Sequence, residues 1–308
     1  MNNNAWEKRK TVIYEATDDI DRRLIRLLQK DGRQNNRALA RQVGTTGATV
    51  KAHLRKMIER EIMRVTVLVD PNRLRAPLGT IIGLDVTRKD IGRVIQQLSS
   101  NPAVLQGART GGRFNVVAVA YFASTYELTE FAVNVLFNSD GIKSSELFIM
   151  LQVGRKGKEA SPGLDDLDLE LIKLLRKNGR DSTVSLGRKL ELSPTTVQRR
   201  IRRLTREHFI RVTALVNASK VDWYWPAAVG LMVRRKSVTD VLSRLRQHPA
   251  VDFVTCTTGR FDIFASISAE SEEKLFELVE VEISEWDGVM GCDLFVSQGT
   301  NFGPLWLD

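Results

Sequence analysis

The chain repeats itself, and that repeat limits what it can fold into more than any other feature. An offset of 147 residues aligns the two halves without a gap from about residue 18 to residue 148 of the 308. Asp18-Asp19-Ile20-Asp21 falls on Asp165-Asp166-Leu167-Asp168, Lys30-Asp31-Gly32-Arg33 on Lys177-Asn178-Gly179-Arg180, and Gly112-Arg113-Phe114 on Gly259-Arg260-Phe261. This period is far longer than the roughly 20–50 residues of a solenoid repeat, so each copy is a whole folding unit. Between the copies, residues 154–163 are rich in Gly, Ser, Pro and Lys and read as an exposed linker.

Within each copy the hydrophobic period changes once. In copy two, Leu167, Leu171, Leu174 and Leu175 recur at helical spacing behind an acidic start, and Asn178-Gly179 stops that helix. A short helix follows over 184–190. Ser193-Pro194 then supplies an N-cap and a first-turn proline for a third helix reaching about residue 207, with Val197, Ile201 and Leu204 as its buried stripe. Copy one repeats this with Ile20, Leu24, Leu27 and Leu28, a helix over 38–43, and a third over 46–60 that buries Val50, Leu54 and Met57. Three short helices with a tight turn before the last describe a helix-turn-helix. Downstream come strands at 81–86 and 228–233, helices at 91–98 and 238–245, and β-rich runs on either side of Gly-Arg-Phe. Helices at 127–137 and 272–286 and last strands at 145–151 and 292–297 complete the order β-α-β-β-α-β of a ferredoxin-like sandwich. The expected class is α+β, with two winged-type helix-turn-helix domains alternating with two ferredoxin-like βαββαβ sandwich domains. The expected divisions are an N-terminal arm over 1–16, helix-turn-helix domains over 17–77 and 164–222, sandwiches over 78–153 and 223–298, and a tail over 299–308.

Lys plus Arg number 46 against 37 Asp plus Glu, a net charge of +9. As an average this fits nucleic acid or an anionic membrane equally well. Divided by segment, residues 17–77 hold 14 basic and 7 acidic groups (+7) and residues 164–222 hold 13 and 8 (+5). Residues 78–153 balance at 6 and 6, while residues 223–308 hold 7 and 13 (−6). Positive charge therefore sits on both helical parts and on neither sandwich, as expected where helices meet phosphate. No apolar run approaches the roughly 18 residues that cross a bilayer, and residues 1–10 lack the apolar stretch of a signal peptide, so a cytoplasmic protein without membrane contact is expected. The two cysteines, Cys256 and Cys292, stand far apart in no metal-type spacing, and neither a metal nor another cofactor is expected.

On the third helix of copy two, the apolar stripe turns Thr195, Gln198, Arg199 and Arg202 outward. Gln and Arg can pair two bonds at a time with adenine and guanine edges, and the helix N-terminus with Ser193 suits a phosphate. Arg200 and Arg203 on the same helix complete the expected DNA-binding set of copy two. In copy one, Gly44-Thr45-Thr46-Gly47 replaces Glu191-Leu192-Ser193-Pro194, and Ala52-His53 replaces Arg199-Arg200. Its contact set is Thr46, Lys51, His53, Arg55 and Lys56, suited to phosphate with poorer base reading, and His53 is expected to be exposed on the phosphate side. The expected partner is double-stranded DNA.

A trihelical unit opening Leu164-Asp-Asp-Leu-Asp-Leu-Glu-Leu-Ile-Lys-Leu-Leu175, with Leu192-Ser-Pro-Thr-Thr-Val-Gln-Arg-Arg-Ile-Arg-Arg-Leu204 at its third helix, resembles the Lrp/AsnC family of transcriptional regulators. The resemblance covers about residues 17–153 and 164–298. It implies a regulator whose sandwich domains pair through their sheets and, in many members, bind an amino acid or related small molecule at an interface. It also implies an effector loop at a Gly-x-x-Asp pattern, here Gly259, Arg260 and Asp262, matched in copy one by Gly112, Arg113 and Asn115. A Gly turn suits a carboxylate and Asp262 an ammonium group, whereas Asn115 has no charge to pair it. Read singly, the same positions are a tight hairpin with a structural Gly and a capping Asp. Two further readings share this architecture. One is a siroheme decarboxylase-like enzyme, against which stands the lack of a His- and Tyr-containing segment after the second strand. The three histidines, His53, His208 and His248, also lie outside every expected sandwich strand. The other is a low-specificity nucleoid-type DNA-binding protein, marked by a specificity ratio near one.

Overall fold

The computed structural model describes residues 14–69, 78–151 and 163–302, so the expected arm, linker and tail lie largely outside the described residues. Copy one runs α1 (Asp19–Lys30), α2 (Asn36–Val43), α3 (Gly47–Glu59), β1 (Met63–Val69), β2 (Leu78–Val86), α4 (Ile91–Ser99), β3 (Val104–Thr110), β4 (Val116–Phe122), α5 (Thr125–Phe131) and β5 (Ile142–Leu151). Copy two repeats the order with α6 (Asp166–Lys177), α7 (Thr183–Leu190), α8 (Pro194–Arg206), β6 (Ile210–Val216), β7 (Trp225–Val233), α9 (Val238–Gln247), β8 (Val251–Thr257), β9 (Ile263–Ala269), α10 (Glu272–Phe276) and β10 (Val289–Phe302). Both α5 and α10 continue as π-helical stretches, Ala132–Phe137 and Glu277–Glu282. The fold is the α+β class expected, with the helix-turn-helix and sandwich elements alternating.

Contacts gather these elements into two compact units, each drawn from both copies: Met1–Asp70 with Lys158–Asp222, and Pro71–Gly157 with Trp223–Asp308.

The helical unit is two trihelical bundles joined about an internal pseudo-twofold. Each first helix starts with a reciprocal capping box, Asp18 with Asp21 and Asp165 with Asp168, which satisfies two otherwise orphaned N–H groups. Each third helix starts on a hydroxyl cap, Thr46 or Ser193, whose oxygen accepts from the backbone N–H three residues on. The strand after each third helix does not pair within its own copy. Instead β1 runs antiparallel to β6, with Thr66 opposite Thr213 at the middle of the register. Because those two threonines are themselves related by the repeat, the pseudo-dyad passes through this pair.

The backbone and threonine contacts at this strand pair recur at their repeat-related positions. The Gly32 N–H donates to the Val212 carbonyl at 2.9 Å and the Gly179 N–H to the Val65 carbonyl at 2.8 Å. Thr66 Oγ1 donates to the Arg176 carbonyl and Thr213 Oγ1 to the Gln29 carbonyl, both at 2.8 Å. A Cβ on Gly32 would lie 2.9 Å from the Thr213 backbone nitrogen, so the close approach requires glycine there.

In the second unit the two sandwiches form one closed barrel of order β10-β3-β4-β2-β5-β8-β9-β7. The copies meet at two seams, β5 with β8 and β10 with β3. The pairing through sheets implied by the family resemblance is therefore met inside a single chain, through two short seams. Each helical layer covers its own half: Val94, Leu98, Val116 and Phe131 belong to one outer core, and Leu242, Leu245, Ile263 and Leu275 to the other.

The lumen is a third core. Phe114, Phe148, Phe261, Phe264 and Phe295 fill it together with Ile81 and Val117. Four of the phenylalanines are repeat-related pairs, Phe114 with Phe261 and Phe148 with Phe295; the fifth, Phe264, stands where copy one has Val117 and breaks the symmetry. The rings of Phe114 and Phe295 stack at 5.4 Å and those of Phe148 and Phe261 lie at 5.3 Å, so both seams are packed by aromatics from opposite copies. Gly83 and Gly230, also repeat-related, make room for Phe114 and Phe261, for a Cβ there would sit 2.4 and 2.6 Å from the rings.

Candidate nucleic-acid interface

The third helices α3 and α8 are the elements on which a helix-turn-helix reads DNA. On α8, Val197, Ile201 and Leu204 are buried as the spacing predicts. Ser193, Thr195, Gln198, Arg199 and Arg202 are exposed. Gln198, Arg199 and Arg202 make no hydrogen bond or ion pair among the described residues, which leaves their donors available. On α3, Val50, Leu54 and Met57 are buried, and Thr46, Lys51 and Arg55 are exposed. Arg55 lies 3.8 Å from Glu59 one turn on, an exposed pair of little energetic weight.

Arg200 and Arg203 are placed otherwise than the outward reading of their helix suggests. The Arg200 guanidinium donates to Asp165 and to Asp168 at 2.8 Å, and Arg203 also pairs Asp168. Asp168 is fully buried. The two arginines neutralise it and pin α8 to the start of α6. Copy one keeps the carboxylates and changes the cations. His53 Nδ1 lies 2.7 Å from Asp21 Oδ1 and 3.8 Å from Asp18, and Lys56 Nζ lies 3.9 Å from Asp21. His53 is thus turned into its own bundle, a correction to the expectation of an exposed phosphate-side residue. The physical reason is its place on the wheel, three residues beyond Val50 and four before Met57, on the flank of the buried stripe beside a buried carboxylate. Asp18, Asp21 and His53 also have the donor types and spacing of a metal site. Here each carboxylate already accepts a backbone N–H and Lys56 supplies a positive charge, so the cluster is a clamp between helices.

Two arginines that sequence reasoning passed over set the relation of the two bundles. Arg33 donates to the Gly179 and Asp181 carbonyls at 2.8 and 3.2 Å, and Arg180 to the Gly32 carbonyl at 2.9 Å and to Asn36 Oδ1 at 2.8 Å. Burial draws both guanidiniums below their usual range, and for Arg180 the charge of Arg33 adds to the effect. The signal was present in the repeated Gly-Arg that ends each first helix, which local rules read only as a helix stop.

In the barrel, Gly112 and Gly259 both adopt left-handed backbone, φ 103° and 99°, at the tips of the β3–β4 and β8–β9 hairpins. The residues that follow converge: Arg113 donates to Glu146 at 2.9 Å and Arg260 to the same carboxylate at 3.2 Å. One guanidinium from each copy thus shares a single carboxylate, a pair of fixed charges only half neutralised. Asn115 and Asp262 serve the sheet. Asn115 Oδ1 accepts from the Val86 N–H and its Nδ2 donates to the Val86 carbonyl, while Asp262 Oδ2 accepts from the Val233 N–H. The capping reading of these two positions is the one their contacts support. Cys256 is buried and Cys292 half-buried, and desolvation raises both thiols above their usual range, which makes them poor nucleophiles.

Paired helix-turn-helix bundles with exposed basic third helices, carried in one chain with an α+β barrel, define a DNA-binding regulator of the one-component kind. Family models match all four parts: winged helix-turn-helix DNA-binding over 17–62, an AsnC-type helix-turn-helix domain over 164–205, an Lrp/AsnC ligand binding domain over 80–158, and a C-terminal dimeric alpha+beta barrel domain over 231–302. The chain belongs to the Lrp/AsnC family of transcriptional regulators. It is 30% identical over 142 residues to the uncharacterized HTH-type transcriptional regulator PF1231 of Pyrococcus furiosus, a match that takes in 46% of this chain and 95% of that protein. It is 28% identical over 130 residues to the HTH-type transcriptional regulator Ptr1 of Methanocaldococcus jannaschii, covering 42% of this chain and 88% of that protein. Matches of under half this chain and nearly all of the relative are what two fused family units produce. Among solved structures, a siroheme decarboxylase, NirDL, superposes over 92% of both chains with a TM-score of 0.60 at 14% identity, a likeness of fold alone. Among the described residues no helix is long and apolar enough to cross a membrane.

Proposed function

We propose that this protein is a sequence-specific DNA-binding transcriptional regulator, not an enzyme, whose two fused reading units recognise unequal half-sites. One observation carries the proposal: α8 presents Thr195, Gln198, Arg199 and Arg202 exposed and uncommitted, while α3 offers Ala48, Lys51, Ala52 and Arg55 at the repeat-related positions. Bidentate-capable side chains discriminate bases; lysine beside alanines supplies charge with little readout. α8 is the base reader and α3 chiefly a phosphate anchor, with Ser193 and Thr46 at helix N-termini that suit a phosphate oxygen.

The barrel is the effector domain. A small molecule bearing a carboxylate, such as an amino acid, engages Arg113 and Arg260 in place of Glu146, near the Gly112 and Gly259 turns. Two features favour this over tetrapyrrole chemistry. The lumen is filled by five buried phenylalanines, and of the histidines His53 is held in the helical unit against Asp21 while His248 ends α9 at 3.5 Å from Glu282.

Binding of Arg199→Ala and Arg202→Ala proteins to matched and mismatched duplexes tests the reading. Each substitution should cost roughly tenfold on the preferred site and relax base preference. Lys51→Ala should weaken all sequences alike and lower the salt slope by about one. Equal, sequence-independent losses at both helices would overturn it.

A further inference from the structure

The outer helical layers of the two half-barrels differ at positions that the repeat makes comparable. Along α5 and its π-helical continuation, Phe131, Ala132 and Leu136 are buried. On the solvent side of the same helix Tyr126 is 71% exposed, Val133 42% and Phe137 67%. Seven and four residues apart, they line one face, and neither aromatic ring meets another among the described residues. The repeat-related residues of copy two are Glu273, Glu280 and Ser284, with both glutamates exposed. The apolar stripe is therefore no requirement of the fold, for the same helix in the same layer is built with carboxylates. We infer that the stripe is a contact surface for a second copy of this chain, which docks through its own α5 across a twofold axis. The pairing goes beyond the DNA-reading proposal above and does not depend on it.

Size and charge select the occupant. Two aromatic side chains of about 150–250 Å² each, mostly exposed, leave with Val133 roughly 300 Å² of apolar surface in water, the size at which a patch marks an interaction site. A standard interface takes about 800 Å² per partner, so the stripe with its polar margin forms a small one, with a Kd on the order of 10 μM. The stripe is flanked by the exposed Glu127 and Glu130, and the copy-two face exposes Glu273, Glu277 and Glu280, so like charges oppose a pairing of stripe with copy-two face. That pairing would also be head-to-tail and would propagate into a filament, whereas stripe on stripe closes after two chains. Run antiparallel, the stripes set Tyr126 of one chain against Phe137 of the other and keep the two acidic N-terminal ends apart. Each acidic end then lies over the Asn134 end of the partner chain. Asn134 Nδ2 donates to Glu130 at 3.1 Å within its own helix and keeps a second N–H for a carboxylate across the interface. Beyond Phe137, Lys89 and Arg93 balance Asp90 and Asp140, so that end adds no net charge. A pair of chains carries four third helices, and its binding to neighbouring DNA sites is cooperative through effective concentration. Only this last consequence rests on the DNA reading.

The test is sedimentation velocity of the full-length chain without DNA from about 1 to about 100 μM, a range that brackets the expected Kd. Wild type should pass from monomer to dimer and no further. The triple variant Tyr126→Glu, Val133→Glu, Phe137→Ser installs the residues that copy two carries, so it should fold with an unchanged urea midpoint and lose about tenfold or more in self-affinity. The reverse triple Glu273→Tyr, Glu280→Val, Ser284→Phe gives the chain two apolar faces and should turn closed dimers into species that keep growing with concentration. Val133→Cys, close to the axis, should cross-link chains in pairs on mild oxidation, and Glu280→Cys should not. A wild-type chain still monomeric at about 100 μM, or a dimer that the first triple variant leaves intact, would overturn the inference. So would a chain that dimerises through this face only after residues 303–308 are removed, for the stripe would then be the seat of that tail.

Discussion

Truncating Phe148 to alanine should be among the most damaging single changes to the barrel. Phe148 is 1% exposed and its ring lies 5.3 Å from Phe261, 6.0 Å from Phe264 and 6.1 Å from Phe114, so it touches aromatics of both copies. Removing it leaves a void of roughly 100 Å³, which at about 24 cal/mol per Å³ costs about 2.4 kcal/mol. The lost transfer of the ring from water adds about 1.5–2 kcal/mol. The sum, about 4 kcal/mol, falls inside the roughly 3–5 kcal/mol measured for buried Phe→Ala changes and is a large part of a domain stability of about 5–15 kcal/mol. Urea unfolding followed by tryptophan emission, with Trp223 and Trp286 buried in this unit, reports it as a fall in midpoint at unchanged slope. A loss under about 1 kcal/mol would refute the reasoning. It would mean that the lumen collapses or opens freely, and the argument against a large ligand inside it would go too.

Arg33→Ala removes two charge-assisted hydrogen bonds across the pseudo-dyad and should cost the helical unit about 1.5–3 kcal/mol. It should also broaden the tolerated spacing between half-sites, read by affinities for duplexes with the half-sites displaced by single base pairs; unchanged spacing preference would contradict the clamp. Burial opposes ionisation of Asp165, but the hydrogen bonds from Arg200 and Asp168 outweigh it and hold the carboxyl below its usual range. A depressed folded-state value gives stability that is present above the unfolded carboxylate range and is lost as pH falls through the folded value. Arg200→Ala should therefore move acid unfolding of the helices to higher pH in circular dichroism from pH 5 to 2, and an unmoved midpoint would contradict the contribution of this pair.

Much of this organisation was legible before any coordinates. The 147-residue offset, the stripes Val50–Leu54–Met57 and Val197–Ile201–Leu204, and the cap Ser193 are local or periodic, and helices obey local rules. The charge division placed DNA contact on the helical parts. What stayed hidden is what depends on distant partners. Nothing local says that β1 pairs β6 across the repeat, or that β10 continues to Phe302 to meet β3, since strand partners and register are non-local choices. Arg33 and Arg180 belong to the same class: as isolated basic residues after a helix stop they look like surface charge, and only the apposition of the two copies turns them toward carbonyls. His53, Arg200 and Arg203 were misjudged for a subtler reason. A helical wheel gives direction but not what waits there, and the buried carboxylates that draw these side chains inward come from another helix.

The most direct test of unequal reading by two fused units is selection of bound duplexes from random DNA by the full-length chain. The structure predicts a bipartite site with one half sharply defined and the other tolerant, at a fixed spacing, with Arg199→Ala blurring the sharp half alone. A palindrome with equal information in both halves, or no enrichment over random DNA, would contradict it.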